Sequence, residues 1–368
     1  MTGSDDRRAQ AKPSTEGLDR GQALPIALLV PAPFGTISGG YGYDRRLVEG
    51  FRALGQEVTV VELAGRHPLP DAAALAAARA ALDGVPAGAR IILDGLGLPA
   101  FAPLADALVA RRAVALIHHP TAMEAGIGAD AAAALRATEA AMFPRLARLV
   151  VSSATTGREL TAEFGVAPER IGVVEPGTDP APRARGSGGP GVAILSVGTL
   201  IPRKGHDVLL KALARLTDID WTLTIAGAAR DAVYADGLAA LVEELGLAQR
   251  VRFAGEVSGA ALEALYDRSD VFALATHWEG YGMAAAEALA RGLPVAVTAG
   301  GAIAEVVPVE AGCVSPPGDV MLLARAMRRV LYDGGMRAEM AEAAWAAGQR
   351  LPRWSDRAAA FLDALEQA

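Results

Sequence analysis

Short apolar runs alternate with longer amphipathic stretches along the first half of the chain. Runs of this kind predict buried strands, and the amphipathic stretches between them predict helices. Predicted strands cover residues 25–31, 58–62, 90–93, 113–117 and 149–152, and predicted helices include 43–54 and 71–82. Strands that alternate with helices form βαβ units, so residues 24–185 are expected to form a domain with a parallel sheet.

A segment dense in Pro, Gly and Arg interrupts this pattern at residues 180–191, which read PAPRARGSGGPG. Such a composition is typical of an interdomain linker. The alternation then restarts, with predicted strands at 192–197, 221–226, 251–254, 271–275 and 294–297 and helices between them. The predicted fold class is therefore α/β, with a second domain at residues 190–353. Two Rossmann-like doubly wound domains would face each other across a cleft, and ligands bind such sheets outside the carboxyl ends of the strands.

Composition narrows the range of functions. The chain has 368 residues, a formal net charge of -7 and one cysteine, Cys313. The negative charge argues against broad nucleic-acid binding, and one cysteine forms neither a disulfide framework nor a cysteine-based zinc site. Residues 1–23 lack the apolar core of a signal peptide and are predicted to be a disordered lead-in. No apolar run reaches the ~18–20 residues of a membrane span. The single cysteine fits a reducing compartment, so a cytoplasmic protein is expected, with association to the membrane surface left open.

The strongest candidate site lies at residues 277–294, which read HWEGYGMAAAEALARGLP. Its glycines permit close backbone approach to a ligand, and the start of the following helix offers free N–H groups that suit a phosphate. Its two carboxylates can accept hydrogen bonds from sugar hydroxyls. The candidate donor-binding residues in this segment are Glu279, Gly280, Tyr281, Gly282, Met283 and Glu287.

This segment resembles the hallmark of glycosyltransferase family four, in which two Glu residues are separated by seven residues that include Gly-aromatic-Gly. Members of that family are retaining enzymes of the GT-B fold. The resemblance runs from residue 25 to the C-terminus and is more specific in the second half. It implies that Glu279 contacts donor-sugar hydroxyls near the reacting carbon, that the amides of residues 280–283 contact the sugar and diphosphate, and that Glu287 holds the ribose. It also implies that the last helix, within 354–368, crosses back to complete the N-terminal domain.

A basic loop precedes this segment in the second domain, where residues 195–206 read LSVGTLIPRKGH. Gly198 ends a predicted strand, and Arg203 and Lys204 follow in the loop. Two cations beside a helix start can neutralise a diphosphate leaving group without a metal. The family has a basic pair here, and often an Arg directly after the first Gly. This chain has Thr199 at that position, so we assign the role to Arg203; a solvated surface pair is the alternative.

The first half offers two further candidates. Gly39 and Gly40 lie in the glycine-rich segment 34–43, predicted to be a loop before a helix that starts at residue 43. It resembles the family's first Gly-rich loop, near the diphosphate and the acceptor; an ordinary turn is the alternative. His118 ends a predicted strand, where an imidazole facing a cleft can bond a donor hydroxyl or the reacting region. His119 is the second choice, and a structural histidine is the alternative.

Four other features allow alternative interpretations. The sequence GLGLPA at 95–100 matches a dinucleotide-binding loop loosely, but it does not follow the first strand and no acidic residue follows for a ribose. The chain's Asp-x-Asp at 218–220 precedes a strand rather than following one, so no catalytic metal is predicted. A later Gly-Gly loop at 300–301 matches the family, with Glu305 in either a donor-facing or a structural role. Residues Tyr43, Arg45, Arg46 and Phe51 would lie near a lipid surface or pack as an amphipathic helix on their own sheet.

The resemblance thus implies a metal-independent glycosyltransferase. It would move a sugar, with retention of configuration, from a nucleoside-diphosphate sugar to a sugar, lipid or small-molecule acceptor. A UDP-sugar is favoured on family frequency, as a substrate rather than a cofactor. The donor would bind the C-terminal domain and the acceptor the N-terminal domain. A non-catalytic nucleotide-sugar-binding protein and a sugar-nucleotide epimerase of the same fold are the alternatives.

Overall fold

A computed structural model describes residues 24–124 and 126–368 of the chain. The predicted lead-in at residues 1–23 lies outside these residues. The described part contains two six-stranded sheets, one on each side of residue 180, and every strand pairing within them is parallel. The predicted α/β class with two Rossmann-like halves is therefore confirmed.

The first half alternates strands and helices throughout. Its strands are β1 (Ile26–Pro31), β2 (Val58–Leu63), β3 (Arg90–Asp94), β4 (Val114–Ile117), β5 (Arg148–Val151) and β6 (Ile171–Val173). Its helices are α1 (Gly39–Ala53), α2 (Ala72–Gly84), α3 (Ala105–Ala110), α4 (Ala129–Met142) and α5 (Ala154–Phe164). Short 3-10 helices add Leu98–Leu104, Thr121–Met123, Phe143–Arg145 and Pro168–Arg170.

The second half repeats the alternation. Its strands are β7 (Val192–Val197), β8 (Trp221–Ala226), β9 (Val251–Gly255), β10 (Val271–Leu274), β11 (Val295–Thr298) and β12 (Gly312–Ser315). Its helices are α6 (His206–Leu213), α7 (Ala232–Glu244), α8 (Gly259–Asp267), α9 (Met283–Ala290), α10 (Ile303–Val306), α11 (Val320–Tyr332) and α12 (Gly334–Gly348). Further 3-10 turns lie at Pro202–Lys204 and Ala214–Leu216. Residues 180–191, predicted as a linker, contain no helix or strand.

The last helix, α13 (Trp354–Glu366), packs on α1 of the first half. Its buried residues include Phe361, whose ring meets that of Phe51 edge-on at 5.6 Å between centroids. Gly177 makes the crossing close, because a Cβ there would lie 2.4 Å from the backbone nitrogen of Trp354. The C-terminal segment thus shares the hydrophobic core of the first half, while the domain boundaries themselves remain predictions.

The core of each half lies on both faces of its sheet. Strands β1, β3, β4, β5, β10 and β11 are buried along nearly their whole length and read as continuous apolar runs, as a parallel sheet covered by helices requires. Tyr43 and Phe51 belong to this core rather than to a free helix face, and Arg45 donates to the carbonyl oxygens of Phe34 and Thr36. Of the two readings of this helix, the structure therefore shows the one packed on its own sheet. Within 24–124 and 126–368, no helix is both long and apolar enough to span a bilayer.

Candidate active site

Strand order determines where the two halves place their loops. The first sheet runs β2-β1-β3-β4-β5-β6, and the second runs β12-β11-β10-β7-β8-β9. The order reverses between β1 and β3 in the first sheet and between β7 and β10 in the second. At such a point, neighbouring loops diverge and leave a crevice at the carboxyl ends of the strands. The segments predicted as functional follow β1, β4, β7 and β10, so they line these crevices.

Lys204 and Glu279 form the central ion pair of the second half. The loop after β7 brings Lys204 to the loop after β10, where its Nζ lies 2.5 Å from Oε1 of Glu279. Gly205 allows this approach, because it has a φ of +62° and a Cβ there would lie 2.0 Å from the carbonyl oxygen of Ala275. Burial would raise the pKa of Glu279, but Lys204 and Arg203 hold that pKa below its usual value. The pair is therefore a nearly buried anion and cation at the base of the crevice.

Arg203 reaches across to the first half of the chain. Its Nε donates to Oε1 of Glu124 at 3.0 Å, and its Nη1 donates to the carbonyl oxygen of Trp278 at 2.8 Å. Glu124 also bonds Nε2 of His119 at 2.5 Å. Burial would raise the pKa of Glu124, but His119 and Arg203 lower it to about 2. Arg203 therefore keeps a donor nitrogen for an anion while it links the two halves.

The loop after β10 depends on glycines in two ways. Gly282 precedes α9 with a φ of +105°, a left-handed conformation that glycine adopts without strain, and the first N–H groups of a helix have no partner within it. Gly301 pairs with Glu279 in an isolated parallel bridge, and a Cβ on Gly301 would lie 2.3 Å from the carbonyl oxygen of Glu279. Gly300 is packed as tightly against the backbone of His277. The Gly-Gly loop therefore supports the backbone of Glu279.

Glu287 lies one turn into α9, where it is half-buried. Its Oε2 accepts a hydrogen bond from the hydroxyl of Tyr266 at 2.8 Å. Burial raises its pKa, while Tyr266 and Arg291 oppose that shift. Tyr281, by contrast, is buried in the core of the second half, and Met283 packs against both halves. Tyr281 thus supports the loop through its side chain rather than exposing it to a ligand.

The first half differs from the prediction at Gly39 and Gly40, which were expected in a loop before a helix starting at residue 43. Helix α1 starts at Gly39, after Ser38, whose Oγ accepts from the backbone N–H of Tyr41 at 3.4 Å. The glycines read as loop residues because they are poor helix formers, but a Ser cap and tertiary packing override that weak preference. A Cβ on Gly40 would lie 3.1 Å from Cδ2 of His118, so the small residue admits the imidazole.

His118 rests on two buried carboxylates that the sequence analysis missed. Its Nε2 lies 3.0 Å from Oδ1 of Asp44 in α1 and 3.7 Å from Oδ2 of Asp94 at the end of β3. Its ring also meets that of Tyr43 edge-on at 5.3 Å. Asp94 carried a usable signal, since it is a carboxylate at the carboxyl end of a predicted strand. Asp44 directly follows the glycine-rich segment 34–43, but its position there gave no sign of a partner, and Glu124 lies beside a 3-10 turn with no motif around it.

Several contacts join the two halves across the crevice. Gly280 lies against the backbone of His118, and its carbonyl oxygen accepts a hydrogen bond from Oγ of Ser152 at 3.2 Å. Trp278 donates through Nε1 to Glu159 at 3.2 Å and packs on the ring of His119. Elsewhere Glu305 pairs with Arg158, with 2.7 Å between oxygen and nitrogen, and accepts from Thr155 at 2.6 Å. Glu305 therefore joins the two halves, as a structural role would require, and Arg203, Lys204 and Glu279 lie together near the backbone of His118.

The two competing motifs have other uses. Residues 98–104, within and after GLGLPA, form a 3-10 helix whose first four residues are buried, rather than a dinucleotide-binding helix start. In the Asp-x-Asp, Asp218 pairs with Arg328 through contacts of 2.7 and 2.8 Å, in the connection before β8. That connection lies at the amino end of the strand, away from the crevice.

Comparison with known proteins supports the same interpretation. Residues 182–346 match the family described as Glycosyl transferases group 1. A D-inositol 3-phosphate glycosyltransferase from Xylanimonas cellulosilytica is 33% identical over 237 residues, covering 60% of this chain and 57% of that protein. The protein of that name from Mycobacterium sp. (strain KMS) is 34% identical over 167 residues, 42% of this chain and 38% of that one. The chain therefore spans roughly half the length of these relatives or less.

Solved structures share the fold over nearly the whole chain. Sucrose-phosphate synthase from Thermosynechococcus elongatus has a TM-score of 0.78 at 19% identity, covering 93% of this chain and 98% of that one. An Anabaena protein in complex with UDP-glucose has a TM-score of 0.71 at 17% identity, with 93% and 100% covered. These likenesses confirm the predicted GT-B architecture. The match of residues 182–346 to Glycosyl transferases group 1, together with the curated relatives, confirms the resemblance of the chain to a glycosyltransferase of family four.

Proposed function

We propose that this protein transfers a hexosyl group from a nucleoside-diphosphate sugar to a hydroxyl acceptor, with retention of configuration and without a metal. The observation that carries the proposal is the arrangement around Lys204 and Glu279. That ion pair lies beside the free N–H groups of α9, and Gly280 of the same loop packs against His118 of the opposite half. A cation, a carboxylate, a helix N-terminus and an imidazole in one crevice suit an anionic diphosphate attached to a sugar.

In this proposal the second half binds the donor. Lys204 and Arg203 stabilise the negative charge that develops on the departing diphosphate, and the free N–H groups at the start of α9 add to this field. Because Lys204 already neutralises Glu279, that carboxylate is held as an anion that accepts hydrogen bonds from sugar hydroxyls. Glu287, one turn farther along α9, would hold the ribose. UDP is the first nucleotide to test, since a protein of the same fold was solved with UDP-glucose.

The first half would bind the acceptor beside His118 and Tyr41. The contacts that join the halves exclude water from the reacting centre, which limits hydrolysis of the donor. We propose that the leaving phosphate itself accepts the proton of the acceptor hydroxyl, so that no covalent sugar intermediate forms on the protein. A glycosyl adduct detected on Glu279 by mass spectrometry would refute this step. Inositol 3-phosphate is one acceptor to test, after the printed name of the relatives.

Thermal shift against UDP, GDP, ADP and NAD tests the donor site. Ligand at ~100 times its dissociation constant stabilises a protein by ~2.7 kcal/mol, a shift of several degrees. We expect a shift with one nucleoside diphosphate that is lost in Lys204→Ala and in Glu287→Ala. Lys211→Ala is the matched control, because Lys211 lies on the exposed face of α6 and pairs only with Asp207 among the described residues. A shift with NAD alone, or none with any diphosphate, would contradict the proposal.

Acceptor-dependent sugar transfer then separates the enzyme from its alternatives. A sugar-nucleotide epimerase would change the donor sugar without an acceptor, and a binding protein would leave it intact. Proton NMR of the product gives the anomeric configuration, so an inverted product would contradict retention. Activity that is abolished by EDTA and restored by Mg²⁺ or Mn²⁺ would contradict metal independence.

A further inference from the structure

Two buried carboxylates and an imidazole meet at the floor of the first half. Asp44 comes from α1, Asp94 from the end of β3, and His118 from the end of β4. One ligand-type atom of each lies within 4.8 Å of the other two. The side chains of Asp44 and Asp94 are 0% and 6% exposed, whereas that of His118 is 21% exposed and closes the cluster toward the crevice. His118 is therefore the most exposed of the three side chains, and the two carboxylates are buried.

Counting hydrogen bonds shows that this cluster lacks a donor. Nε2 of His118 carries one proton at most, and it lies closest to Oδ1 of Asp44, at 3.0 Å. Oδ1 of Asp94 accepts from the backbone N–H of Leu96 at 2.8 Å. Oδ2 of Asp44 is buried and has no hydrogen-bond partner among the described residues. A buried carboxylate oxygen without a donor is costly, and two adjacent carboxylates beside one imidazolium would leave a net negative charge in the core.

We propose that Asp44 and Asp94 share one proton, so that the cluster is neutral with His118 above it as an imidazolium. The proton between the two carboxyl groups supplies the donor that Oδ2 of Asp44 lacks. Nδ1 of His118 makes no hydrogen bond to any described residue, so in the imidazolium its N–H is left for a ligand. Asp44 and Asp94 are then positioning residues that hold His118 as a fixed cationic donor. Only the donation of a hydrogen bond from His118 to the sugar rests on the proposed function.

The electrostatic surroundings agree with a shared proton. Burial, and then the neighbouring Asp44, raise the pKa of Asp94 to about 7. Burial would lower the pKa of His118, but Asp44 and Asp94 hold it above its usual value. Two carboxylates that compete for one site ionise in two separate steps, as in other carboxyl pairs. A cluster with one proton on the carboxyl pair and one on each ring nitrogen is thus the form expected below pH 7.

The other groups that face the cluster leave this proton count unchanged near pH 7. Tyr41 and Tyr43 face it from α1, and burial together with the carboxylates raises the pKa of both phenols, to about 12 for Tyr41. His119, next along the loop, has its pKa lowered by burial and by Arg203. From the second half, the backbone of Gly280 packs on the carbonyl oxygen of His118. Glu62 raises the pKa of Tyr41, whereas Arg230 lowers it.

The proposal has a chemical consequence for the reaction. An imidazolium held from below cannot accept the proton of an acceptor hydroxyl, so His118 is not the general base. It instead donates a hydrogen bond and places a positive charge beside the reacting sugar. The singly protonated carboxyl pair balances the positive charge of the imidazolium in a nearly buried site. Loss of the shared proton near pH 7 leaves the cluster with a net negative charge beside the sugar.

Nitrogen NMR of the full chain tests the proposal without relying on activity. We expect the His118 ring nitrogens, assigned with His118→Gln, to report an imidazolium at pH 7, and a second step in their shifts near pH 7 from the carboxyl pair. In Asp94→Asn the imidazolium should remain and the second step should disappear, because the amide imitates the protonated carboxyl group. In Asp44→Asn the pKa of His118 should fall. Asp218→Asn, at an exposed ion pair, is the matched control and should change neither signal.

A neutral His118 or a cation bound by the carboxyl pair would each give a different NMR result. A neutral His118 at pH 7 in the wild type, or a second step that persists in Asp94→Asn, would overturn it. Shifts of the His118 signals on adding Mg²⁺, Mn²⁺ or Zn²⁺, lost in Asp94→Asn, would assign a cation rather than a proton to the pair and would also overturn it. If transfer is measured, Asp94→Asn should keep kcat within about threefold above pH 7, where the wild type declines, and Asp44→Asn should not. Absence of transfer would sink the proposed function and leave the NMR result standing.

Discussion

Gly280→Ala should prevent the two halves from closing. A Cβ at this position would lie 2.3 Å from the carbonyl oxygen of His118 and 3.2 Å from Oγ of Ser152. Ordinary contacts between carbon and carbonyl oxygen begin near 3.3 Å, so the halves must separate locally by about 1 Å. The φ of Gly280 is not positive, so an Ala adopts its backbone and the effect arises from the contact alone. Misplacement of a reacting group by 1 Å costs about 10²-fold in rate.

The assay should separate closure from donor binding. We expect kcat for sugar transfer to fall about 100-fold. The Kd of the nucleoside diphosphate should change little, since its ligands lie in the second half. Fluorescence of Trp278 provides a second readout, because that side chain contacts Glu159 and His119 across the crevice. Gly42→Ala is the control, as a Cβ there meets nothing within 4 Å. Wild-type kcat with unchanged Trp278 emission in Gly280→Ala would refute this reasoning.

Two further substitutions test packing and charge. Gly50→Ala should destabilise the protein by ~1–3 kcal/mol, because its Cβ would lie 2.5 Å from the Cβ of Ala358 where α13 crosses α1. An unchanged midpoint of denaturant unfolding would contradict this, since it would mean that the two helices move apart at no cost in stability. Lys204→Met should cost about 3 kcal/mol at pH 7, because it leaves Glu279 buried without its closest cation. In the wild type the pKa of Glu279 lies below its usual value, so its contribution to stability is lost on acidification below about pH 4.5. In Lys204→Met that pKa should rise, so stability should instead be lost as pH rises. Parallel stability profiles of the two proteins between pH 4 and 8 would contradict this.

The second half of the candidate site was largely readable from the sequence. Glycines and carboxylates around Glu279 and Glu287 lie within one strand, loop and helix, so their spacing alone predicts a helix start flanked by acidic groups. The loop with Arg203 and Lys204 is similarly local. Whether these residues bind a donor stays a prediction, but their convergence was foreseeable, because the carboxyl ends of neighbouring parallel strands share one edge of a sheet.

The first half of the site was not readable in the same way. Asp44 lies 74 positions from His118 in the chain, and Glu124 lies 79 positions from Arg203. Nothing in the pattern around either carboxylate distinguishes it from a solvated residue. The start of α1 was also misplaced, because Gly39 and Gly40 are weak helix formers that only the Ser38 cap and the ring of His118 commit to a helical turn.

The alternation of buried strands and helices, and hence two parallel sheets with loops at one edge, is predicted by the sequence alone. Those features follow from hydrophobic periodicity and from glycines that act over a few residues. Which charges meet depends on tertiary packing, because an ion pair such as Arg203 with Glu124 requires that the two sheets face each other in one particular way. Burial strengthens those contacts and shifts their pKa values, and burial is a property of the whole packed chain.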